Sequence, residues 1–386
     1  MRNRWRLPLV IALLTLFFVV NLGNALHKGG DFETFRESSR RLLNGEALYA
    51  GSSPGAGVTW PPFQSVFFVP FVFMEGIHPD VARVLWYLIN FFGLFIGVIS
   101  WTHAIFPGRF STFRELLLSN DVLLPLTAIA LAAETNFEHQ NMNPLLLAIT
   151  GIGALALVRG RHVPGALAFS IASALKAFPL LLFCAFPWRH AWRPLIIGIL
   201  IVAALSCTVG FRYGVSGTTD AFRNWAGISL TGGWPIRPQN QSMYAMFSRL
   251  LSEHARTGQT IATFGLMAVV FFVGWKRRGL PLSQSGRECA FVLAMAVLVS
   301  PIAWEHYWVL LFPLFQSVRV DNGPGVMRCR VVFWLAAILV SGPSPLLVGE
   351  AGYNLARSLN NSTIAALLLV SVAIPELLRA TPNDRV

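Results

Sequence analysis

The 386 residues are 54% hydrophobic and only 12% charged, with a formal charge of +12 and a mean hydropathy of +0.58. Soluble globular domains carry about twice that charged fraction, which excludes a cytosolic enzyme. The basic residues fall in small clusters between apolar runs, a membrane topology signal rather than a nucleic-acid surface.

A spanning helix needs about 20 apolar residues, so the length holds about 10–12 transmembrane or half-membrane helices in one polytopic domain over residues 1–386. Leu7 to Leu26 follows Arg2, Arg4 and Arg6 without a small-residue cleavage site, and reads as an uncleaved first span with a cytoplasmic N-terminus. Residues 27–60 then form a long first external loop. Phe63 to Ile77, broken by Pro70, reads as a segment that dips in and returns, and Arg83 to Phe106 crosses inward to Arg109 and Arg114. Leu116 to Ala133 crosses out, residues 134–143 are external, and Pro144 to Val158 returns to Arg159 and Arg161. The stretch up to Arg189 is interrupted near Lys176 and Pro179, and two half-length helices keep both basic clusters inside. Pro194 to Gly210 crosses out, residues 211–259 form a second large external region, and Thr260 to Trp275 returns to Lys276, Arg277 and Arg278. Between Arg287 and Arg319 two short spans meet around Ser300 to His306; Val331 to Val348 and Thr363 to Leu378 complete the chain. Cys184, Cys207, Cys289 and Cys329 have neither paired spacing nor His companions, so neither a disulfide framework nor a metal site is expected.

This topology gathers the polar islands on one face, and Pro-broken segments at membrane depth are tolerated only when buried in protein or lining a wet cavity. Asp31 has two compatible readings: the N-cap of an amphipathic helix from Phe32 to Asn44 that stops at Gly45, or a general base. Trp60-Pro61-Pro62 fixes an extended entry into the next segment. Glu134, Glu138, His139, Gln140, Asn141 and Asn143 make a patch denser than a short turn requires. Lys176 stands alone in an apolar segment, where an ionisable group is costly and functional by default; it suits a phosphate, and snorkelling to the interface is the rival reading. Asn240, Gln241 and Ser242 are side chains that bind sugar hydroxyls or serve as caps and turns. Glu305 and His306 sit beside Trp304 and Tyr307, and His306 reads as a phosphate ligand or a proton carrier. No nucleotide-binding loop, HExxH pair or nucleophile elbow occurs in a supporting context.

In order, Asp31, Trp60-Pro61-Pro62, Gln140 through Asn143-Pro144, Leu175-Lys176 with Phe178-Pro179, Asn240-Gln241-Ser242, and Ser300-Pro301 with Trp304-Glu305-His306-Tyr307 resemble glycosyltransferase family 87. That family includes polyprenyl-phosphomannose-dependent alpha-mannosyltransferases. The resemblance implies an all-α polytopic fold of the glycosyltransferase C superfamily type in the plasma (inner) membrane. It also implies a hexosyltransferase that moves one hexose, mannose first, from a polyprenyl-phosphate sugar to a lipid-linked or glycan acceptor on the external face, with inversion. Asp31 becomes the base, and Lys176 and His306 face the donor phosphate. Trp60, Gln140, Asn143, Asn240, Gln241 and Glu305 become substrate-binding positions. The expected partners are the lipid donor, the acceptor and membrane lipids, without nucleic acid, metal or a further cofactor. Family members more often carry Tyr at the position of Trp60, Gly at His139 and Asp at Glu305, differences that bear on the sugar more than on the reaction type. The alternative is a secondary transporter or flippase of a lipid-linked or polar solute, which also builds sites from interrupted helices; the chain lacks a convincing internal repeat, and its regions 27–60 and 211–259 are long.

Overall fold

The computed structural model describes residues 5–230, 234–318 and 326–379. Arg2, Arg4 and Arg319, used above to orient the chain, lie outside the described residues, which contain helices and two isolated bridges but no strand.

The first helices are α1 (Arg6–His27), α2 (Gly30–Asn44), the short α3 (Phe63–Phe67) and α4 (Val69–Glu75), and α5 (Pro79–Ile105). Then come α6 (Phe113–Leu118), α7 (Asn120–Ala128), α8 (Ala130–His139), α9 (Asn143–Val158) and α10 (His162–Leu175), with a 3-10 segment over Phe178–Ala185. The second half holds α11 (Trp192–Ser206), α12 (Gly210–Leu230), α13 (Met243–Leu251), α14 (Ala255–Lys276) and α15 (Gly286–Val299). A 3-10 segment over Glu305–Leu311 leads into α16 (Phe312–Val318), followed by α17 (Val326–Ser341), α18 (Pro345–Ser358) and α19 (Asn361–Arg379).

Among the described residues five helical stretches are long and apolar enough to cross a membrane, or seven if each of two bent pairs is one span, with shorter apolar helices completing the set of half-length elements. The apolar side chains left outside, such as Leu13 and Leu16 on α1, Ile199 and Leu200 on α11, and Phe264 and Phe271 on α14, would be a liability in water and are what contact with lipid requires.

The expected dip over 63–77 is the α3–α4 pair, broken at Phe68. The expected half-helices after Arg161 are α10 and the 3-10 segment, which meet at Lys176 and Ala177. Three expectations need correction. The stretch 134–143 is not an open polar loop: it is the last turn of α8, a reversal on Gln140 at φ 50°, and the start of α9, with α8 and α9 meeting at 120°. Thr135, Asn136, Gln140, Asn141 and Asn143 are buried there, because the reversal exposes backbone donors and acceptors that neighbouring side chains must satisfy, while Glu134 and His139 remain exposed. The region 211–259 is largely helical, in α12, α13 and the start of α14. Finally, α2 begins at Gly30, so Asp31 lies in its first turn and is not its N-cap.

The core is built on α5, which packs along α9. Gly93 and Gly97, four residues apart, let the two backbones approach: a Cβ at Gly97 would stand 2.8 Å from Leu147 Cγ and 3.0 Å from the Ala148 nitrogen. The 27 residues of α5 span about 40 Å. Near its start Trp86 donates to the Gln140 carbonyl at 2.9 Å. Near its end Thr102 accepts from Gln316 at 2.8 Å, and Ala104 lies against Gly286. That far end holds a buried ion triad. Arg189 Nη1 donates to Glu288 Oε1 at 2.8 Å, and Arg277 Nε donates to Glu288 Oε2 at 3.0 Å. Arg277 also donates to the Leu377 carbonyl at 2.6 Å, which ties α14, α15 and α19 together.

Two substitutions test this packing, with a third as control. Gly97→Leu is expected to destabilise by about 1–3 kcal/mol, the usual cost of overpacking, read as a lowered Tm in detergent. Gly265→Ala, inside α14 where nothing stands within 4 Å of the added Cβ, should not lower Tm and should raise it slightly, since alanine is the better helix former. Breaking the triad with Glu288→Gln is expected to cost about 3–5 kcal/mol, because two guanidinium groups stay buried without their carboxylate.

Candidate active site

α2 is held to the body by its apolar face. Phe32 stacks on Trp86 with ring centroids 5.7 Å apart, and Phe35 meets Phe68 at 4.7 Å and Trp60 at 4.6 Å. Its basic residues do not all face an interface: Arg36 is fully buried, paired with Glu33 and, at 3.2 Å, with Glu75. Arg83 on α5 holds Glu33 at 2.9 Å and the Leu26 carbonyl at 3.1 Å, fixing the junction of α1 and α2. Gly30, at φ 52°, lies so close to α8 that a Cβ there would collide with the His139 carbonyl. These constraints aim Asp31 at the α8–α9 reversal.

Asn141 Nδ2 donates to Asp31 Oδ2 at 2.6 Å, and Lys176 Nζ donates to Asn141 Oδ1 at 3.0 Å. Lys176 also donates to Asn143 Oδ1 at 2.8 Å and lies 3.8 Å from the centroid of the Tyr307 ring, whose face attracts a cation. Asn143 Nδ2 in turn donates to the His306 carbonyl at 3.0 Å and to Asn136 Oδ1 at 3.2 Å. His306 Nε2 is buried without a hydrogen-bond partner, 3.7 Å from Asp31 Oδ2. Burial raises the Asp31 carboxyl above its ordinary range, while Asn141 donation and the nearby His139 and Lys176 pull it back.

Two cavities flank this chain of contacts. The larger, about 510 Å³, is lined by Lys176 and Tyr307 together with Trp60, Phe178, Trp225 and Trp234. The smaller, about 340 Å³, is lined by Asp31, His139, Arg237, Glu305, His306 and Arg357, among others. Asn141 therefore lies between an aromatic, apolar space holding the ammonium and a polar space holding the acid.

The expected residues divide accordingly. Asp31 and Glu305 line the smaller cavity and Lys176 and Trp60 the larger; His306 lines the same cavity as Asp31, not that of Lys176. Gln140, Asn143, Asn240 and Gln241 line neither and hold backbone, Asn143 also accepting from Lys176. Gln140 donates to the Ala25 carbonyl at 2.6 Å and the Lys28 carbonyl at 3.2 Å. Asn240 Oδ1 accepts from the amides of Ser242 and Ala303, and Gln241 Nε2 donates to the carbonyls of Pro238 and Arg357 at 2.7 Å. Glu305 is paired with Arg357 and accepts from the Tyr353 hydroxyl at 2.9 Å, so α18 closes one wall of the smaller cavity. Sequence reasoning had the Asn141 patch in view without singling it out. Arg237, Arg357 and Tyr353 had no signal, since their partners are remote in sequence.

The fold and site define a class: an all-helical polytopic membrane enzyme with an acid and an isolated ammonium on either side of an amide, at the level of broken helices. The profile of glycosyltransferase family 87 matches residues 59–301, and the chain belongs to that family. It is a membrane glycosyltransferase, and the transporter alternative lapses. It is 26% identical over 79% of its length to a polyprenol-phosphate-mannose-dependent alpha-(1-2)-phosphatidylinositol pentamannoside mannosyltransferase of Mycobacterium tuberculosis, 68% of which is covered. It is 24% identical over 81% of its length to a polyprenol-phosphate-mannose-dependent alpha-(1-2)-phosphatidylinositol mannoside mannosyltransferase of Mycolicibacterium smegmatis, 73% of which is covered. Among solved structures it is similar to ArnT from Cupriavidus metallidurans in the apo state, at a TM-score of 0.44 and 14% identity, covering 98% of this chain and 78% of that one.

Gly30→Ala tests the aiming of Asp31. The added methyl meets the His139 carbonyl in a backbone conformation that disfavours any side chain, so α2 must shift. Glycosyl transfer should fall on the order of 100-fold while helical circular dichroism is retained.

Proposed function

We propose that this enzyme transfers a single hexose, mannose by analogy with its relatives, from a polyprenyl-phosphate sugar to a hydroxyl of a lipid-linked or glycan acceptor. The observation that carries this reading is the pairing of two unlike cavities across Asn141. An apolar, tryptophan-lined space with one ammonium suits a lipid tail leading to a phosphate. A polar space with one carboxylate and an imidazole suits a sugar hydroxyl. The relatives' names, which give polyprenol-phosphate-mannose dependence and phosphatidylinositol mannoside acceptors, support the same pairing.

In this mechanism Asp31 takes the proton of the acceptor hydroxyl, whose oxygen attacks the anomeric carbon from the face opposite the phosphate. The bond from that carbon to the phosphate oxygen breaks, the configuration inverts, and polyprenyl phosphate leaves with its charge met by Lys176. The counter-charge is supplied by Lys176, and no divalent ion or cofactor is invoked. His306, 3.7 Å from the Asp31 carboxylate with a free ring nitrogen, can share the acceptor hydroxyl with it; a contact to the departing phosphate follows if the reacting centre lies between the cavities. Glu305 and Trp60 contact substrate in the two cavities. Gln140, Asn143, Asn240 and Gln241 act indirectly, by holding the walls.

The reading sets the site on the external face of the plasma membrane, with the N-terminus cytoplasmic. Its support is the placing of Arg109, Arg189 and Arg277 toward the end of α5, opposite the site, whereas the arginines at the site end, Arg36, Arg40 and Arg83, are paired with Glu33 or Glu75. A cysteine placed at residue 110 should react only with membrane-permeant reagents in intact cells; labelling by an impermeant reagent reverses the orientation.

With polyprenyl-phosphomannose and a phosphatidylinositol mannoside as substrates, Asp31→Asn should keep the fold and lower turnover by about 10²–10⁴. Near-normal turnover in that variant removes Asp31 from its role. Lys176→Met should raise the KM for the donor more than that for the acceptor, and an unchanged donor dependence removes Lys176 from the phosphate. The acid limb of kcat/KM should lie above that of an ordinary aspartate, since burial raises the Asp31 carboxyl and it must be ionised to act.

A further inference from the structure

Asn141 is the only side chain that bonds both Asp31 and Lys176 among the described residues. Its orientation is not free. An ammonium only donates and a carboxylate only accepts, so the amide oxygen must face Lys176 and the nitrogen must face Asp31. The pair is thereby polarised in one direction, from the cation of one cavity to the acid of the other. Asn141 lines neither cavity and touches neither proposed substrate, and it is buried at the reversal between α8 and α9.

We infer that Asn141 is a positioning residue through which occupancy of the Lys176 cavity by a phosphate sets the aim and basicity of Asp31 in the other. The inference rests on the proposed function above. A phosphate arriving at Lys176 draws the ammonium toward its own oxygens and away from Asn141 Oδ1. The amide is then less polarised and donates less strongly to Asp31, whose carboxylate becomes the stronger base with donor in place. Without donor, the same contacts keep Asp31 engaged and less basic. The other groups around Asp31 are His306 and Tyr307 of the 3-10 segment and His139 of α8; Glu33, on the same helix, is taken up by Arg36 and Arg83, and Glu305, Arg237 and Arg357 line the same cavity. Among them Asn141 alone connects Asp31 by hydrogen bonds to the second cavity.

The test uses the full chain in detergent or nanodiscs, with two variants. Asn141→Ala removes both bonds. Asn141→Asp keeps the shape but cannot donate when ionised and adds a charge beside Asp31. The acid limb of donor kcat/KM, which reports the free enzyme, should move up by about one pH unit in Asn141→Ala and farther in Asn141→Asp. In the unaltered enzyme the limb of kcat, which reports the donor complex, should lie above that of kcat/KM, and this separation should narrow in Asn141→Ala. A residue that merely supports the fold would lower rates equally at every pH and leave both limbs in place, and that result overturns the inference.

Equilibrium binding of polyprenyl phosphate, followed by tryptophan fluorescence against pH, gives a readout independent of turnover. Coupling is reciprocal, so the pH dependence of binding conferred by Asp31 should weaken in Asn141→Ala; an unchanged dependence again overturns the inference. Asp31→Asn is run alongside. If it is inactive while the Asn141 variants keep the unaltered limbs, only the coupling fails; if it transfers normally, the base assignment fails and the coupling with it.

Discussion

A lone ammonium removed from water at the level of broken membrane helices is the constraint from which the site follows. Lys176 is almost wholly buried and, among the described residues, has no carboxylate at ion-pair distance. A buried cation of this kind persists only if strong acceptors surround it. They are two amide oxygens and one aromatic face, from Asn141, Asn143 and Tyr307. Supplying both amides from one short reversal forces the α8–α9 turn to be tight and buried. Supplying Tyr307 requires the chain after α15 to pass the end of α10. The acid of α2 then comes within reach because Gly30 permits contact with that same reversal.

The opposite end of α5 solves a similar problem differently. There Glu288 is flanked by two guanidinium groups, and their remaining donors reach backbone carbonyls. The two guanidinium groups share the one carboxylate, and the cluster holds helices together. At the site the charges are deliberately spaced: Asp31 and Lys176 are joined only through a neutral amide, and one nitrogen of His306 has no partner. The first arrangement is complete without a ligand. The second has capacity left over, which is the physical difference between a structural ion cluster and a place where substrates finish the hydrogen bonding.

The parts of this arrangement legible in the sequence are those whose cost shows locally. A lysine between Leu175 and Ala177, with Pro179 close behind, conflicts with a continuous span, and the helix does break there. The stop at Gly45 was readable because glycine is favoured in the left-handed conformation it adopts. The start of α2 was misread by two residues, since Gly30, at φ 52°, opens the helix and Asp31 does not cap it. Least legible were the roles of the amides. Gln140, Asn240 and Gln241 stood out as polar islands, but composition does not distinguish a side chain facing a sugar from one facing a carbonyl. That choice is made by tertiary approach, as when Gln241 meets the Arg357 carbonyl across 116 residues. Arg357 itself, placed on α18 by the bend after α17, becomes part of the cavity wall only through its pairing with Glu305.

The amides also explain why the enzyme can keep so many helix breaks at membrane depth. Each break frees backbone groups that lipid cannot satisfy, and charged side chains there would perturb the field that the acid and ammonium depend on. Neutral Asn and Gln carry donor and acceptor together, so they mend the breaks without adding charge. Gln140 closes the gap between α1 and the α8–α9 reversal, Asn240 fastens the chain before α13 to Ala303, and Gln241 and Asn143 reach the α18 and His306 backbones. Asn141 has the same chemistry but meets two ionisable side chains instead of two stretches of backbone. A residue type recruited to repair broken helices has thereby become, at one position, the connection between the two halves of the site.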